Sequence, residues 1–249
     1  PDVHDLSSLK MIVFAGAAIP IEMIAALREL GWNPQTVWGL TEATGAVTFT
    51  ELDDDDQVLS CSVGRPAGSF ELRIADETGA PVRQGEAGEV FVGGPCVMAG
   101  YYNRLEATSD SIDSDGWLHT GDRGLLDAEG RLVIVGRIKH MYKSGGYNIY
   151  PREIEITLER HHGVALACVV SAPDPKFDEI GIAYLLSVAG KELTAECIEA
   201  FARERLANYK IPKKFVICDK FPEVEVGKVD RVALTREAQR EWQAETKKI

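Results

Sequence analysis

Apolar and polar positions alternate along this chain with two different periods, and the switches between them outline its elements. The run Leu9-Lys10-Met11-Ile12-Val13-Phe14 predicts a strand. After Gly16, with Pro20 at the start, apolar positions recur with helical spacing over 21–30 and stop at Gly31. Thr36-Val37-Trp38 predicts another short strand. Strand, helix and strand at this spacing make one βαβ unit, and open α/β sheets bind ligands beyond the C-terminal ends of their strands. The loop after Trp38 is therefore a place to look for chemistry. The pattern then changes to short β-rich segments separated by turn residues: 70–74, 89–92, and 131–135 behind the hairpin-like Asp127-Ala128-Glu129-Gly130. These predict a β subdomain packed on the first unit. Beyond Ser144-Gly145-Gly146, Pro151 opens a predicted helix over 152–160 with Ile154 and Leu158 on one face. A small α/β unit follows, with strands over 164–170 and 180–188, helices over 194–206 and 232–245, and a stretch at 214–218 between the helices.

Composition narrows the class. The 249 residues are 45% apolar, which excludes disorder and fibrous repeats and allows one or two domains of roughly 150 residues each. No apolar run approaches the ~20 residues of a membrane-spanning helix, and Pro1-Asp2-Val3-His4-Asp5 does not resemble a signal peptide. A cytoplasmic protein without a transmembrane segment is expected. Cys61, Cys96, Cys168, Cys197 and Cys218 are odd in number and none stands in a C-x-x-C pair, which argues against a disulfide framework or a zinc site and predicts reduced, mostly buried thiols. A formal charge of −12 argues against a nucleic-acid partner, whose backbone needs a basic field. The surplus is uneven: 10 Lys+Arg face 22 Asp+Glu up to Lys139, against 17 and 17 after it. Such asymmetry points to separate units. The run Asp53 to Asp56 reads as a solvated loop.

Five places carry groups suited to chemistry. Trp38-Gly39-Leu40-Thr41-Glu42-Ala43-Thr44-Gly45 opens a strand end into hydroxyls, a carboxylate and glycines; a hydroxyl can bond a phosphate and a carboxylate can hold Mg²⁺. By itself, Thr-Glu after a strand is more often a turn or cap. In His119-Thr120-Gly121-Asp122, behind a predicted strand at 117–118, the ionised Asp only accepts hydrogen bonds and can take both hydroxyls of a ribose diol. Alone it reads as an Asp in a glycine turn. Arg137 is a fixed cation that could serve the same ligand or a surface ion pair. The stretch 136–151 joins the β-rich part to the terminal unit, and the adjacent Gly145 and Gly146 permit close approach by a ligand or unusual dihedrals. Val226-Gly227-Lys228-Val229-Asp230-Arg231 reads as a loop before the last helix with Lys228 at its tip, alone an ordinary surface lysine.

In this order and at these intervals the elements resemble the adenylate-forming superfamily: acyl-CoA synthetases, firefly luciferase and the adenylation domains of nonribosomal peptide synthetases. Phe14-Ala15-Gly16-Ala17-Ala18-Ile19-Pro20 looks like the family's adenine loop. Val63-Gly64-Arg65-Pro66, Gly100-Tyr101-Tyr102 and Ala207-Asn208-Tyr209-Lys210-Ile211-Pro212 match further family motifs, so the resemblance covers essentially the whole chain. It implies an α/β fold comprising the C-terminal part of the large AMP-binding domain, residues 1–139, ending at hinge Lys139, and a small mobile lid domain, residues 140–249. It also implies that the backbone around Gly16, Ala17 and Ala18 holds adenine, with Trp38 in the place of the stacking aromatic, commonly Tyr. In the loop that Gly39 opens, Thr41 is implied to contact phosphate and Glu42 to bind Mg²⁺. Asp122 is implied to take the ribose hydroxyls with Arg137 assisting, and Lys228 to lie against the reacting carboxylate and the α-phosphate. After a swing about the hinge, Lys143, Gly145 and Gly146 replace Lys228 and line the channel for a pantetheine arm.

The resemblance has gaps. The family's Ser/Thr/Gly-rich phosphate loop and the large N-terminal region that supplies much of the acyl pocket are absent from these residues. The expectation is a C-terminal fragment, or one piece of a cleaved enzyme, partnered by the missing N-terminal portion and unable to adenylate efficiently alone. Ala15 stands in place of a Gly, and Asp178-Glu179 where Gly-Glu is common. Lys143 to Pro151 looks like acyl-CoA synthetases of the fatty-acid and small-acid type, which implies an ATP-dependent carboxylic acid–CoA ligase using ATP, Mg²⁺ and CoA, with an oligomer allowed. Loading of a carrier protein is one alternative. A noncatalytic adenylate-binding interaction module is another, against which stand Glu42, Asp122, Arg137 and Lys228, all present.

Overall fold

The structure is a computed structural model, and it describes residues 4–16, 19–225 and 228–246. The chain divides into two compact units, Pro1–Val135 and Gly136–Ile249.

In the first unit, β1 (Met11–Ala15) runs parallel to β2 (Asn33–Leu40), with α1 (Ile21–Glu29) crossing between them, so the expected βαβ unit is present. Pro20 sits at the helix N-cap with φ −62°, a dihedral its ring presets at a position that needs no N–H. Ile24 on α1 is fully buried against Ile19 and Leu59. Next come β3 (Gly45–Phe49), α2 (Asp56–Cys61) and β4 (Arg65–Pro66), which complete a sheet of order β1-β2-β3-β4. A second sheet is the meander β5 (Glu71–Ala75), β6 (Gly88–Gly93), β7 (Leu118–Leu126) and β8 (Leu132–Arg137), with α3 (Leu105–Ser111) between β6 and β7. Trp38 and Val47 of the first sheet share one core with Val90, Val92, Leu118 and Leu132 of the second, so the β subdomain does pack on the βαβ unit.

Three expectations need correction here. Asp53 to Asp56 is not merely a solvated loop: the Asp55 carboxylate accepts the Val58 N–H at 2.8 Å and caps α2, while Asp56 pairs with Arg28 at 2.7 Å. A helix N-terminus with its exposed N–H groups favours such carboxylates. The strand expected at 117–118 runs on to Leu126. Of the five free thiols only Cys168 is buried, with Cys61 and Cys197 exposed; burial pushes the Cys168 thiol up to about 12, which keeps it protonated.

The second unit opens with a hairpin of β9 (Tyr142–Ser144) and β10 (Tyr147–Ile149), then α4 (Pro151–Glu159), β11 (Val164–Asp174), β12 (Asp178–Ser187), α5 (Ala195–Arg205), β13 (Lys214–Cys218), the hairpin β14 (Glu223–Glu225) and β15 (Lys228–Val229), and α6 (Arg231–Thr246). β12 is central, antiparallel to β11 and parallel to β13. Successive side chains of a strand point to opposite faces. Ala167, Val169, Ala183 and Leu185 meet Ile154 and Leu158 of α4 and Ile198 of α5, whereas Cys168, Val170, Ile180, Ile182 and Tyr184 meet Leu234 and Ala238 of α6. Covering both faces explains why β11 and β12 are nearly continuous apolar runs. Among the described residues no helix is long and apolar enough to cross a membrane.

Candidate active site

The loop after β2 is a tight reversal. Pairing shifts from Trp38↔Thr48 to Gly39↔Ala46, and a Cβ on Gly39 would lie 1.7 Å from the Gly45 carbonyl oxygen. Only glycine allows the strands to approach so closely there. Thr41 to Ala43 then form one 3-10 turn closed by Thr44 at φ 60°. This leaves the Thr41 side chain exposed and Glu42 half-buried. The Tyr101 hydroxyl donates to Glu42 Oε1 at 2.7 Å, and the Met98 N–H donates to the Glu42 carbonyl at 2.7 Å. The bond to Glu42, helped by partial burial, pushes the Tyr101 phenol above its usual value, so it stays a donor. In the sequence Tyr101 is one residue of the Gly100-Tyr101-Tyr102 motif, 59 positions from Glu42, and no local pattern signals that the two meet.

Asp122 lies inside β7, not in a glycine turn. The β6–β7 pairing jumps from Glu89↔Arg123 to Phe91↔His119, so β7 carries extra residues at Thr120-Gly121-Asp122. This bulge uses Gly121 at φ 68°, and bulges re-aim side chains. The Thr120 hydroxyl donates to the Val90 carbonyl at 2.6 Å and accepts the Asp122 N–H at 3.1 Å, while Glu89 Oε1 accepts the Gly121 N–H at 3.0 Å. Asp122 turns inward, 4% exposed, and its Oδ2 accepts the Trp38 indole N–H at 2.9 Å across 84 residues of sequence. His119 instead packs against Phe91, with ring centroids 4.1 Å apart and the planes tilted by 43°.

Gly16 closes β1 at φ 79°; Ala17 and Ala18 lie outside the described residues. In the second unit, Arg137 is exposed at the end of β8, and Lys139 lies in the 3-10 turn Ile138–His140. Lys143 stands on β9. Gly145 and Gly146, at φ 56° and 85°, form the two-residue turn between Ser144 and Tyr147, the double positive-φ geometry that matches strand twist. The Lys143 N–H donates to Glu179 Oε2 at 3.1 Å, and the Gly145 N–H to the Phe177 carbonyl at 2.9 Å. Asp178 pairs with Ser144 and has φ 67°, which gives the physical reason glycine suits that position.

Lys228 is exposed on β15, paired with Glu225 of β14 rather than standing at a loop tip; Val226 and Gly227 lie outside the described residues. The chain after it is firmly held. Asp230 donates its N–H to the Pro222 carbonyl at 2.7 Å and caps α6 by accepting the Ala233 N–H at 2.9 Å. Arg231 donates to Glu155 Oε1 at 2.6 Å and to the Val169 carbonyl at 3.1 Å. Glu155, fully buried on α4, also accepts the Val169 N–H at 2.9 Å. A buried charge needs such partners.

Each unit thus presents its own groups: Thr41 and Glu42 in the turn after β2 and Asp122 at the bulge of β7 in the first, and lysines on two hairpins in the second. Among the described residues no cluster of three or more His, Cys, Asp or Glu could hold a metal ion by itself. Residues 1–102 match the family described as AMP-binding enzyme, and residues 153–228 the AMP-binding enzyme C-terminal domain. A methyl-dioxo-octahydroindenyl-propanoyl:CoA ligase of Mycobacterium tuberculosis is 41% identical over 232 residues, which cover 92% of this chain and 44% of that ligase. A feruloyl-CoA synthase of Amycolatopsis is 36% identical over 225 residues, 90% of this chain and 45% of the synthase. Among solved structures, the amide bond synthetase McbA from Marinactinospora thermotolerans matches with a TM-score of 0.86 at 32% identity, covering 94% of this chain and 48% of McbA. The chain spans about half the length or less of these relatives. With one family match on each compact unit and ligases of that family as its relatives, this chain belongs to the adenylate-forming, AMP-binding enzymes.

Proposed function

We propose that the enzyme containing this chain joins a carboxylic acid to CoA in two half-reactions: carboxylate and ATP give acyl-AMP and pyrophosphate, then acyl-AMP and CoA give acyl-CoA and AMP. The observation that carries this reading is the inward-turned Asp122 carboxylate, aimed by a strand bulge and held by Trp38, in a chain whose relatives include CoA ligases. In this reading Asp122 accepts the ribose hydroxyls, the backbone at Gly16, Ala17 and Ala18 meets adenine against Trp38, and Thr41 donates to phosphate. Glu42 fits Mg²⁺, an oxygen-seeking ion that takes one or two carboxylates and fills its other positions with phosphate oxygens and water. Arg137 assists at the nucleotide. The compact Lys228 ammonium offsets the charge that builds as a carboxylate oxygen attacks phosphorus.

Residues 140–249 then act as a lid turning at Lys139, exchanging Lys228 for Lys143, Gly145 and Gly146 at the thiol-accepting step. Beside that glycine turn, Tyr147 and Tyr209 stack at 4.3 Å and are both exposed, an aromatic face of the kind that receives a nucleobase, which supports CoA as the thiol. The missing N-terminal portion of the same enzyme is the expected partner, and the cytoplasm the expected compartment. McbA is named for amide bond synthesis, so the acceptor is the part of the reading to test. The complete enzyme is incubated with ATP, Mg²⁺, a panel of aliphatic and aromatic acids, and either CoA or a phosphopantetheine-bearing carrier protein, and acyl-CoA, acylated carrier and AMP are followed by mass spectrometry. Acyl-CoA formation is the expected result. AMP release with acylation of a carrier protein, but no acyl-CoA, overturns it.

A further inference from the structure

We infer that Trp38 is a positioning residue for the sugar-binding carboxylate: through Asp122, its indole N–H sets the enzyme's preference for a nucleotide carrying both ribose hydroxyls. This rests on the reading of Asp122 as the ribose ligand and adds to it a residue and a selectivity.

The bulge holds the Asp122 backbone through Thr120 and Gly121. A fixed backbone does not fix a carboxylate, because the terminal torsion of Asp is broad and roughly two-fold. A diol bridged by the two oxygens needs one carboxylate plane, and a directional donor on Oδ2 selects it. Trp38 supplies that donor at 2.9 Å. Both side chains are buried, Trp38 8% and Asp122 4% exposed, where a hydrogen bond to a charged acceptor is strengthened by the low dielectric. The ring itself is wedged in the core with Val47, Val90 and Val92, so its N–H has little freedom to follow a displaced partner. Indole only donates. It orients the carboxylate without cancelling its charge and cannot take the place of the sugar. Phe at this position would keep an aromatic ring in the core but would have no donor.

The test uses the complete enzyme with ATP, 2′-deoxy-ATP and 3′-deoxy-ATP, measuring kcat and KM for the wild type, Trp38→Phe, Trp38→β-(3-benzothienyl)alanine and Asp122→Asn. The benzothienyl side chain keeps the shape of Trp and replaces N–H by sulfur, so it carries the test if the Phe variant folds poorly. Loss of the N–H is expected to raise the KM for ATP about tenfold, the size of one hydrogen bond to a charged group. The KM of at least one deoxy analogue should change little, so that the preference for ATP shrinks by the same factor. Equal weakening for all three nucleotides overturns the inference and leaves Trp38 as packing or base stacking. Loss of sugar preference in Asp122→Asn but not in the N–H-deleted variants also overturns it while sparing the ribose site. An unchanged preference in Asp122→Asn refutes the ribose site and the inference together.

Discussion

The two units hold their important carboxylates in different ways. In the first, Glu42 and Asp122 receive hydrogen bonds from neutral aromatic donors, the Tyr101 hydroxyl and the Trp38 indole. In the second, Glu155 is surrounded by cations, with Arg231 at 2.6 Å and Arg152 at 3.4 Å. A guanidinium neutralises a carboxylate and makes it a structural anchor, whereas a neutral donor orients it and leaves its charge to act on a ligand. The first unit itself shows both habits, since Asp56, Asp113 and Asp127 pair with Arg28, Arg73 and Arg131. Arg28, Arg73 and Arg131 thus tie three carboxylates into the fold, while the Tyr101 and Trp38 donors orient the two carboxylates proposed to meet metal and nucleotide.

This contrast can be broken at several points. The largest effect is expected from Lys228→Ala in the complete enzyme: adenylation falls about a thousandfold, the upper range for removing one group that stabilises transition-state charge. Thioester formation from preformed acyl adenylate changes little, and equal loss in both half-reactions, read by single-turnover kinetics, would contradict the exchanging lid. Next, Glu155→Ala leaves Arg231 without its buried partner and should destabilise the second unit by about 3–5 kcal/mol. Glu155→Gln, which keeps a polar partner, should cost less; hydrogen exchange in β11 and α6 reads the difference, and equal losses would mean that charge is not the anchor. Gly39→Ala, with its Cβ driven into the Gly45 carbonyl, should cost about 1–3 kcal/mol as an overpacked site and shift the near-ultraviolet signal of Trp38. The smallest effect is expected from Asp178→Gly, which relieves a left-handed residue at the price of greater unfolded-chain freedom and should gain about 0.5 kcal/mol in chemical denaturation.

Much of the fold was legible because its signals are local. Pro20 and the helical spacing after it marked α1, and the helix expected over 194–206 is α5, with Thr194 as its cap. Other features were hidden. Helix α2 is six residues long, too short to show a period and masked by its acidic start. Strand β7 was truncated in prediction because Gly121 and Gly124 look like breakers, although Gly121 makes the bulge that turns Asp122 inward. The Gly145-Gly146 pair signals unusual dihedrals in the sequence, and only the pairing of Ser144 with Tyr147 shows that they serve a hairpin turn.

The candidate site divides along the same line. Residue identities and their order by themselves determined the family resemblance, the βαβ unit and the candidate groups Thr41, Glu42, Asp122, Arg137 and Lys228, because periodicity and motif spacing are properties of the chain. Only the tertiary structure decided that Asp122 meets Trp38, Glu42 meets Tyr101, and Arg231 is tied to Glu155, pairs separated by 84, 59 and 76 positions. The physical reason is that a hydrogen bond depends on distance and direction between two side chains, and sheet register, a strand bulge and a buried helix face bring those chains together. No local pattern encodes that meeting.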